Sequence, residues 1–199
     1  MKLNILALFI VLFVKNVACQ SNHCLSIGFN ETVSLNRQYS FFNLFNERPS
    51  NNLSLFSLGY IFNNNRSFIN ANINSTLSSE DQYSQNSVNI KYGYSIYNKE
   101  RNEINLHLIP TIGTGYSSDY VKGKGLNNNF VAISTNMFIY RYGMDAIFVN
   151  KNGIFAIVGI YHAYSNVTNW RNTETNKKLD GSYRLNKLEI EFGLGFRFK

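Results

Sequence analysis

Residues 188–198 read Leu188-Glu189-Ile190-Glu191-Phe192-Gly193-Leu194-Gly195-Phe196-Arg197-Phe198. A strand sends successive side chains to opposite faces, so one face of this stretch is wholly apolar and the other holds only charge and glycine. In a soluble sheet the polar face would meet bulk water and have no need of two glycines. A transmembrane barrel accounts for the same alternation, with lipid outside and a polar, crowded lumen inside.

Other stretches repeat the pattern. In residues 66–77, Ile69, Ala71, Ile73 and Leu77 oppose Arg66, Phe68, Asn70, Asn72 and Asn74. Three in-phase asparagines cannot face hydrocarbon, so that face is expected to look inward. Residues 88–97 place Val88, Ile90, Tyr92, Tyr94 and Ile96 against Asn89, Lys91, Gly93 and Ser95; residues 103–116 place Ile104, Leu106, Leu108, Pro110 and Ile112 against Asn105, His107, Thr111 and Gly113. Residues 130–149 read as one long strand with Arg141 and Asp145 inward and a membrane portion at 138–148. Residues 53–62 form a further strand, residues 33–45 begin the series, and residues 154–165 are apolar on both faces, which leaves their phase open. Turn signals at 63–65, 98–102 and 150–153 are short, whereas 46–51, 78–87, 117–129 and 166–183 are more polar and mostly longer. The expected fold is all-β: an antiparallel up-and-down transmembrane barrel of about eight strands, with short periplasmic turns and longer surface loops.

The 199 residues allow one domain, and 15% aromatics suit strands. The one continuous apolar run, residues 5–14, follows Lys2 and precedes Lys15, Asn16 and Val17-Ala18-Cys19. That is the layout of a secretory signal peptide, and the run is too short to span a bilayer. Residues 1–19 are therefore expected to be the signal, 20–32 a periplasmic lead-in and 33–199 the barrel domain. Cleavage after Cys19 or after Ala18 both fit; lipidation of Cys19 fits less well, because Asn16 occupies the place where that signal wants leucine. If Cys19 is retained, a bridge to Cys24 would close only a small loop. Loss of Lys2 and Lys15 with the signal takes the formal +7 to about +5. With no dense basic run, nucleic acid is not an expected partner, and the cysteine-free barrel segment offers no thiolate zinc site, so no metal or cofactor is expected.

A signal peptide, about eight amphipathic strands and a last strand ending Gly193-Leu194-Gly195-Phe196-Arg197-Phe198 resemble the small outer-membrane β-barrel proteins of Gram-negative bacteria, of the OmpX or OmpW kind. The resemblance covers the chain as a pattern, and its specific part is the terminal strand. It implies residence in the outer membrane and a role for Phe192, Leu194, Phe196 and Phe198 as the signal read by the barrel-assembly machinery. Here the last aromatic is penultimate, followed by Lys199, where that family ends on the aromatic.

The inward charges expected from the alternation are Arg66, Lys91, His107, Arg141, Asp145, Glu189, Glu191 and Arg197. Charges in a narrow lumen are costly unless paired, so a bonded network that fills the barrel is expected. The sharpest catalytic alternative is His162-Ala163-Tyr164-Ser165-Asn166, which is similar to the His-x-Ser-Asn element of outer-membrane phospholipases and lipid A deacylases but longer by one residue. A spacing of three puts His162 and Ser165 on opposite faces unless a bulge intervenes; Glu174 would be the third member. Lys122, Lys124, Arg171, Lys177, Lys178 and Arg184 lie in or beside the two longest polar segments, where they could meet lipopolysaccharide phosphates. The favoured expectation is a non-enzymatic barrel acting through its extracellular loops in adhesion, envelope integrity or docking of a membrane-protein partner. The alternatives are a lipid hydrolase and a narrow channel for small apolar solutes.

Overall fold

The computed structural model describes residues 22–34, 52–64, 66–76, 83–101, 103–124, 130–167, 170–179 and 183–198. Its strands are β1 (Asn22–Ser34), β2 (Asn52–Asn64), β3 (Ser67–Thr76), β4 (Tyr83–Tyr94), β5 (Tyr97–Arg101), β6 (Ile104–Lys124), β7 (Phe130–Asn150), β8 (Ile154–Val167), β9 (Trp170–Asn172), β10 (Lys178–Leu179) and β11 (Tyr183–Phe198). Antiparallel ladders run β1–β2–β3–β4–β6–β7–β8–β11, and β11 pairs back onto β1 from His23↔Phe198 to Ser34↔Lys187. Because β5 continues β4 along the same neighbour, β6, the closed sheet has eight walls. Closure leaves no ladder edge among these walls, which hydrocarbon demands because it offers no partner to a free N–H or C=O.

The distribution of side chains is that of a protein in lipid. Leu25, Ile27, Phe29, Leu58, Ile73, Ile90, Ile112, Phe138, Ile160, Phe192 and Leu194 are exposed on the outer wall, while Asn70, Asn72, Asn74, Asn89, Lys91, Arg141, Asp145, Glu189 and Glu191 are buried within. On β7 the apolar outer row covers residues 138–148; at about 3.4 Å per residue and a tilt of about 40° this is roughly 25 Å of height, the thickness of the apolar band of an outer-membrane barrel. At one end of the band every wall switches to a polar outward residue: Glu31, Ser54, Ser75, Asn86, Ser118, Asn136, Asn166 and Asn186. Neighbours in this girdle meet in register, as in Glu31↔Ser54, Ser75↔Asn86, Asn86↔Ser118 and Ser118↔Asn136, and Ser54 and Ser75 donate to Glu31 and Asn86 at 2.6 and 2.7 Å. At the other end lie the tight turns and the paired ends of β1 and β11, where His23 stacks on Phe198 and bonds the Tyr60 hydroxyl. The turn end is periplasmic and the girdle marks the extracellular surface.

Several expectations are corrected. Residues 22–34 are the first wall of the barrel and not a lead-in, and residues 35–45, expected to continue a strand from Val33, lie outside the described residues. β1 alternates cleanly, Leu25, Ile27, Phe29 and Val33 outward, but Glu31 interrupts its apolar row at the girdle. Residues 117–124 continue β6 and pair with 130–137, so the β6–β7 hairpin stands beyond the girdle. β4 begins at Tyr83, within the expected loop at 78–87, and residues 97–101 are β5 instead of a turn. The expected longest loop holds β9 and β10, folded onto β7. In β8 the odd residues 155–167 face inward, which settles the open phase. Pro110 falls between Gly93↔Thr111 and Tyr97↔Leu108, at the interruption between β4 and β5, where the ladder on that side of β6 is already broken. The expected signal segment, with Cys19, lies outside the described residues.

The β7–β8 turn depends on Gly153, whose φ of 86° is the left-handed region, and a Cβ there would lie 2.9 Å from the Arg197 carbonyl oxygen. Gly153→Ala is expected to lower stability by about 1–2 kcal/mol, read from the denaturant midpoint in detergent micelles. The closed barrel itself predicts a different gel mobility for unboiled and boiled samples; identical mobility with no β-type circular dichroism would refute it.

Candidate functional site

The alternation that builds the walls also stacks the lumen in layers. Nearest the periplasm, Cys24, Ile61, Phe68, Ile109, Ile147, Phe155 and Ile157 form an apolar cluster. His107 belongs beside this layer: its ring packs edge-on to Phe68 with centroids 5.3 Å apart, and Nδ1 lies 3.3 Å from Ser95 Oγ.

The central layer is ionic. Arg141 on β7 clamps Glu189 on β11 through two bonds, Nε to Oε2 at 2.5 Å and a terminal nitrogen to Oε1 at 3.1 Å, and donates a third to Asn89 Oδ1 at 2.5 Å. Lys91 on β4 reaches Glu191 Oε2 at 2.5 Å and the Tyr161 hydroxyl oxygen at 2.6 Å, and lies 4.0 Å from Asp145. Tyr161 donates to Asp145, and Asn72 donates to Glu191 at 3.1 Å. The charges come from three walls, β4, β7 and β11, and the Tyr161 hydroxyl adds β8, so the network ties opposite sides of the barrel together. Small residues make the room: the Tyr161 ring fills the space over Gly143 and Gly159.

Above this layer Gln85, Ser117, Asp119 and Lys187 form a second polar tier. Gln85 donates to Ser117 at 2.9 Å, Ser117 donates to Asp119 at 2.5 Å, and Lys187 lies 4.0 Å from Asp119. At the extracellular end, Val121, Ile133, Met137, Ile139, Ala163, Val167 and Trp170 make a second apolar cluster on the inner side of β6–β9. The free space among the central charges is a cavity of about 10 Å³, lined by Asn30, Asn72, Asn74, Asn89, Lys91, Arg141, Tyr161, Glu189 and Glu191. That is room for about one water.

Five of the eight charges expected in the lumen, Lys91, Arg141, Asp145, Glu189 and Glu191, form this one network. His107 is inward and buried but stands apart from it. Arg197 is half-buried at the periplasmic end, in register with Cys24. Arg66 is corrected: it sits in the β2–β3 turn, exposed, because the strand starts at Ser67. Among the described residues, Asp119 and Lys187 complete the lumen charges; both lay in segments read as loop or left outside the terminal strand, although Lys187 is in phase with Glu189 and Glu191.

The catalytic alternative is not assembled. The β7–β8 and β8–β11 ladders run without a bulge through Tyr142↔His162 and Ile139↔Ser165. His162 therefore faces outward, its ring 5.0 Å from that of Tyr142, while Ser165 faces the lumen, fully buried, and donates to the Phe138 carbonyl at 2.6 Å. Glu174 is exposed in the β9–β10 turn, its backbone N–H bound to Asn172 Oδ1. His162, Ser165 and Glu174 thus lie on the outer face, in the lumen and in the β9–β10 turn, respectively.

Removing one member of a buried pair leaves the other charged and unpaired, at a cost of about 3–5 kcal/mol. Arg141→Ala is expected to destabilise the barrel by that amount in a denaturant titration, and Arg141→Ala with Glu189→Ala by clearly less. A single variant within about 0.5 kcal/mol of the parent would show that the pair is not buried as described.

No protein-family model and no curated protein matches the sequence. Among solved structures, the chain is similar to Ail, the attachment invasion locus protein of Yersinia pestis, at 15% identity and a TM-score of 0.48, with 90% of this chain and 100% of that one covered. It is also similar to Neisserial surface protein A, at 10% identity, TM-score 0.46 and coverage of 89% and 97%, and to the N-terminal β-barrel domain of Pseudomonas aeruginosa OprF, at 12% identity, TM-score 0.46 and coverage of 90% and 98%. These likenesses carry no function across. The closed ladders, the apolar outer band and the polar lumen by themselves identify the chain as a small eight-stranded outer-membrane β-barrel protein.

Proposed function

We propose that this protein is a non-enzymatic outer-membrane barrel whose work is done on its extracellular side, in docking a partner or adhering to a surface. The observation that carries the reading is the occupied lumen: a cross-linked ionic layer between two apolar layers, with space for about one water. Among the described residues, a lumen filled in this way disfavours the passage of solutes, of apolar ones most of all, since they would have to cross Lys91, Arg141 and three carboxylates. Among the described residues, the most prominent surface for recognition is the β6–β7 hairpin, which continues beyond the girdle as a paired ladder from Ser117↔Met137 to Lys124↔Phe130. It is braced by the upper apolar cluster and by β9, so it presents a surface with little ordering cost on binding. The outward row Phe192, Leu194, Phe196 and Phe198 would serve as the assembly signal for the barrel-assembly machinery. Partners of this kind of barrel are outer-membrane lipids, lipopolysaccharide and a membrane or surface protein docked on the hairpin.

In a planar bilayer the purified barrel is expected to give no single-channel steps, and in micelles to release no fatty acid from phospholipid or lipid A, with Ser165→Ala indistinguishable from the parent. Hydrolysis lost in Ser165→Ala would overturn the non-enzymatic reading. A photo-crosslinking side chain at position 120 on whole cells is expected to capture a discrete partner, and the same group at position 151, on the periplasmic turn, is expected to miss it.

A further inference from the structure

The wall between β7 and β8 opens at the girdle. The β7–β8 ladder starts at Ile139↔Ser165 and the β7–β9 ladder spans Ile133↔Asn172 to Thr135↔Trp170, so Asn136, Met137 and Phe138 lie between the two partners. On the outer face this leaves a groove of about 800 Å³. Its lower half is aromatic, Tyr116, Phe138 and Tyr140, with the Tyr116 and Phe138 rings edge-on at 5.4 Å. Its upper half is polar, Asn136, Asn166 and Arg171. The boundary between the halves is the girdle, so the groove straddles the surface of the outer leaflet, aromatic part in the membrane and cationic part in the headgroup zone.

A second observation points to an anion. Arg171 on β9 is directly opposite Lys178 on β10, both exposed. Like charges at opposed positions of an antiparallel pair repel. Among the described residues neither has an ion-pair partner; the hairpin's own acid, Glu174, is in the turn at its tip. A phosphate shared by the guanidinium and the ammonium would turn this repulsion into two charge-assisted contacts.

We propose that this groove binds the phosphorylated saccharide head of an outer-leaflet glycolipid. The phosphate sits between Arg171 and Lys178, the sugar lies against Asn136 and Asn166, and the acyl chains descend over Tyr140 and Phe138. A free phosphate satisfies the cations but leaves the aromatic half unused; a glycerophospholipid supplies acyl chains but no sugar for the two asparagines. The inference rests on the outer-membrane placement and is independent of a docking role for the hairpin.

The test uses the folded full chain in phosphatidylcholine nanodiscs, titrated with bisphosphorylated lipid A and read by native mass spectrometry. Saturable binding is expected, weakened about ten-fold or more by Arg171→Glu or Lys178→Glu and unchanged by Lys151→Glu on the periplasmic turn. Tyr140→Ala is expected to weaken it as well, with unboiled gel mobility as the check that each variant is folded. Dephosphorylated lipid A, phosphatidylglycerol and inorganic phosphate are expected not to compete. Equal competition by phosphatidylglycerol, displacement by phosphate alone, or charge reversal without effect would each overturn the proposal, while leaving the crosslinking result at position 120 untouched.

Discussion

The β1–β11 ladder is the constraint on which the other features depend. Inside a bilayer an unpaired strand edge has nothing to bond to, so the sheet is viable only when its first and last walls meet. Gly28 and Gly193 face each other along this seam, and a Cβ on Gly28 would meet the Phe192 carbonyl. Once the seam fixes eight walls, the interior becomes too narrow for a water column, and the lumen must be filled by side chains. The ionic layer is thus a consequence of closure: charges admitted by an inward phase had to find one another across the barrel.

Charge in that layer does structural work that an apolar filling would do less specifically. A one-residue slip in any wall would turn its inward row out to lipid. Arg141, clamped to Glu189 and Asn89, and Lys91, held by Glu191 and Tyr161, therefore penalise wrong registers of β4, β7 and β11 together. The cavity that these residues line is about 10 Å³.

The barrel was legible in the sequence where alternation was uninterrupted, as in Leu188 to Phe198 and in the Asn70, Asn72, Asn74 row. It was least legible where a strand crosses the membrane surface. Glu31 breaks the apolar row of β1, and Ser118 and Tyr120 make the upper part of β6 look like loop, although the inward phase of Ser117, Asp119 and Val121 continues. Arg66 was misplaced because in-phase spacing cannot tell a strand residue from a turn residue next to it. The separation of His162 from Ser165 followed from their spacing, and the ladder kept it. The groove had no local signal at all, because it arises from Trp170–Asn172 pairing back onto β7 beyond the point where β8 ends.

The meeting of β1 with β11 also sets a timetable. Every other wall pairs with a neighbour close in sequence, whereas this seam joins positions as far apart as His23 and Phe198, and long-range pairing is the slow step in acquiring a β topology. Until β11 arrives, β1 has one satisfied side, and a chain carrying all the other strands is still an open sheet. Maturation is therefore all-or-none: no shorter intermediate is at home in lipid, and a factor that guards β1 while β11 is delivered would govern the rate at which finished barrels accumulate.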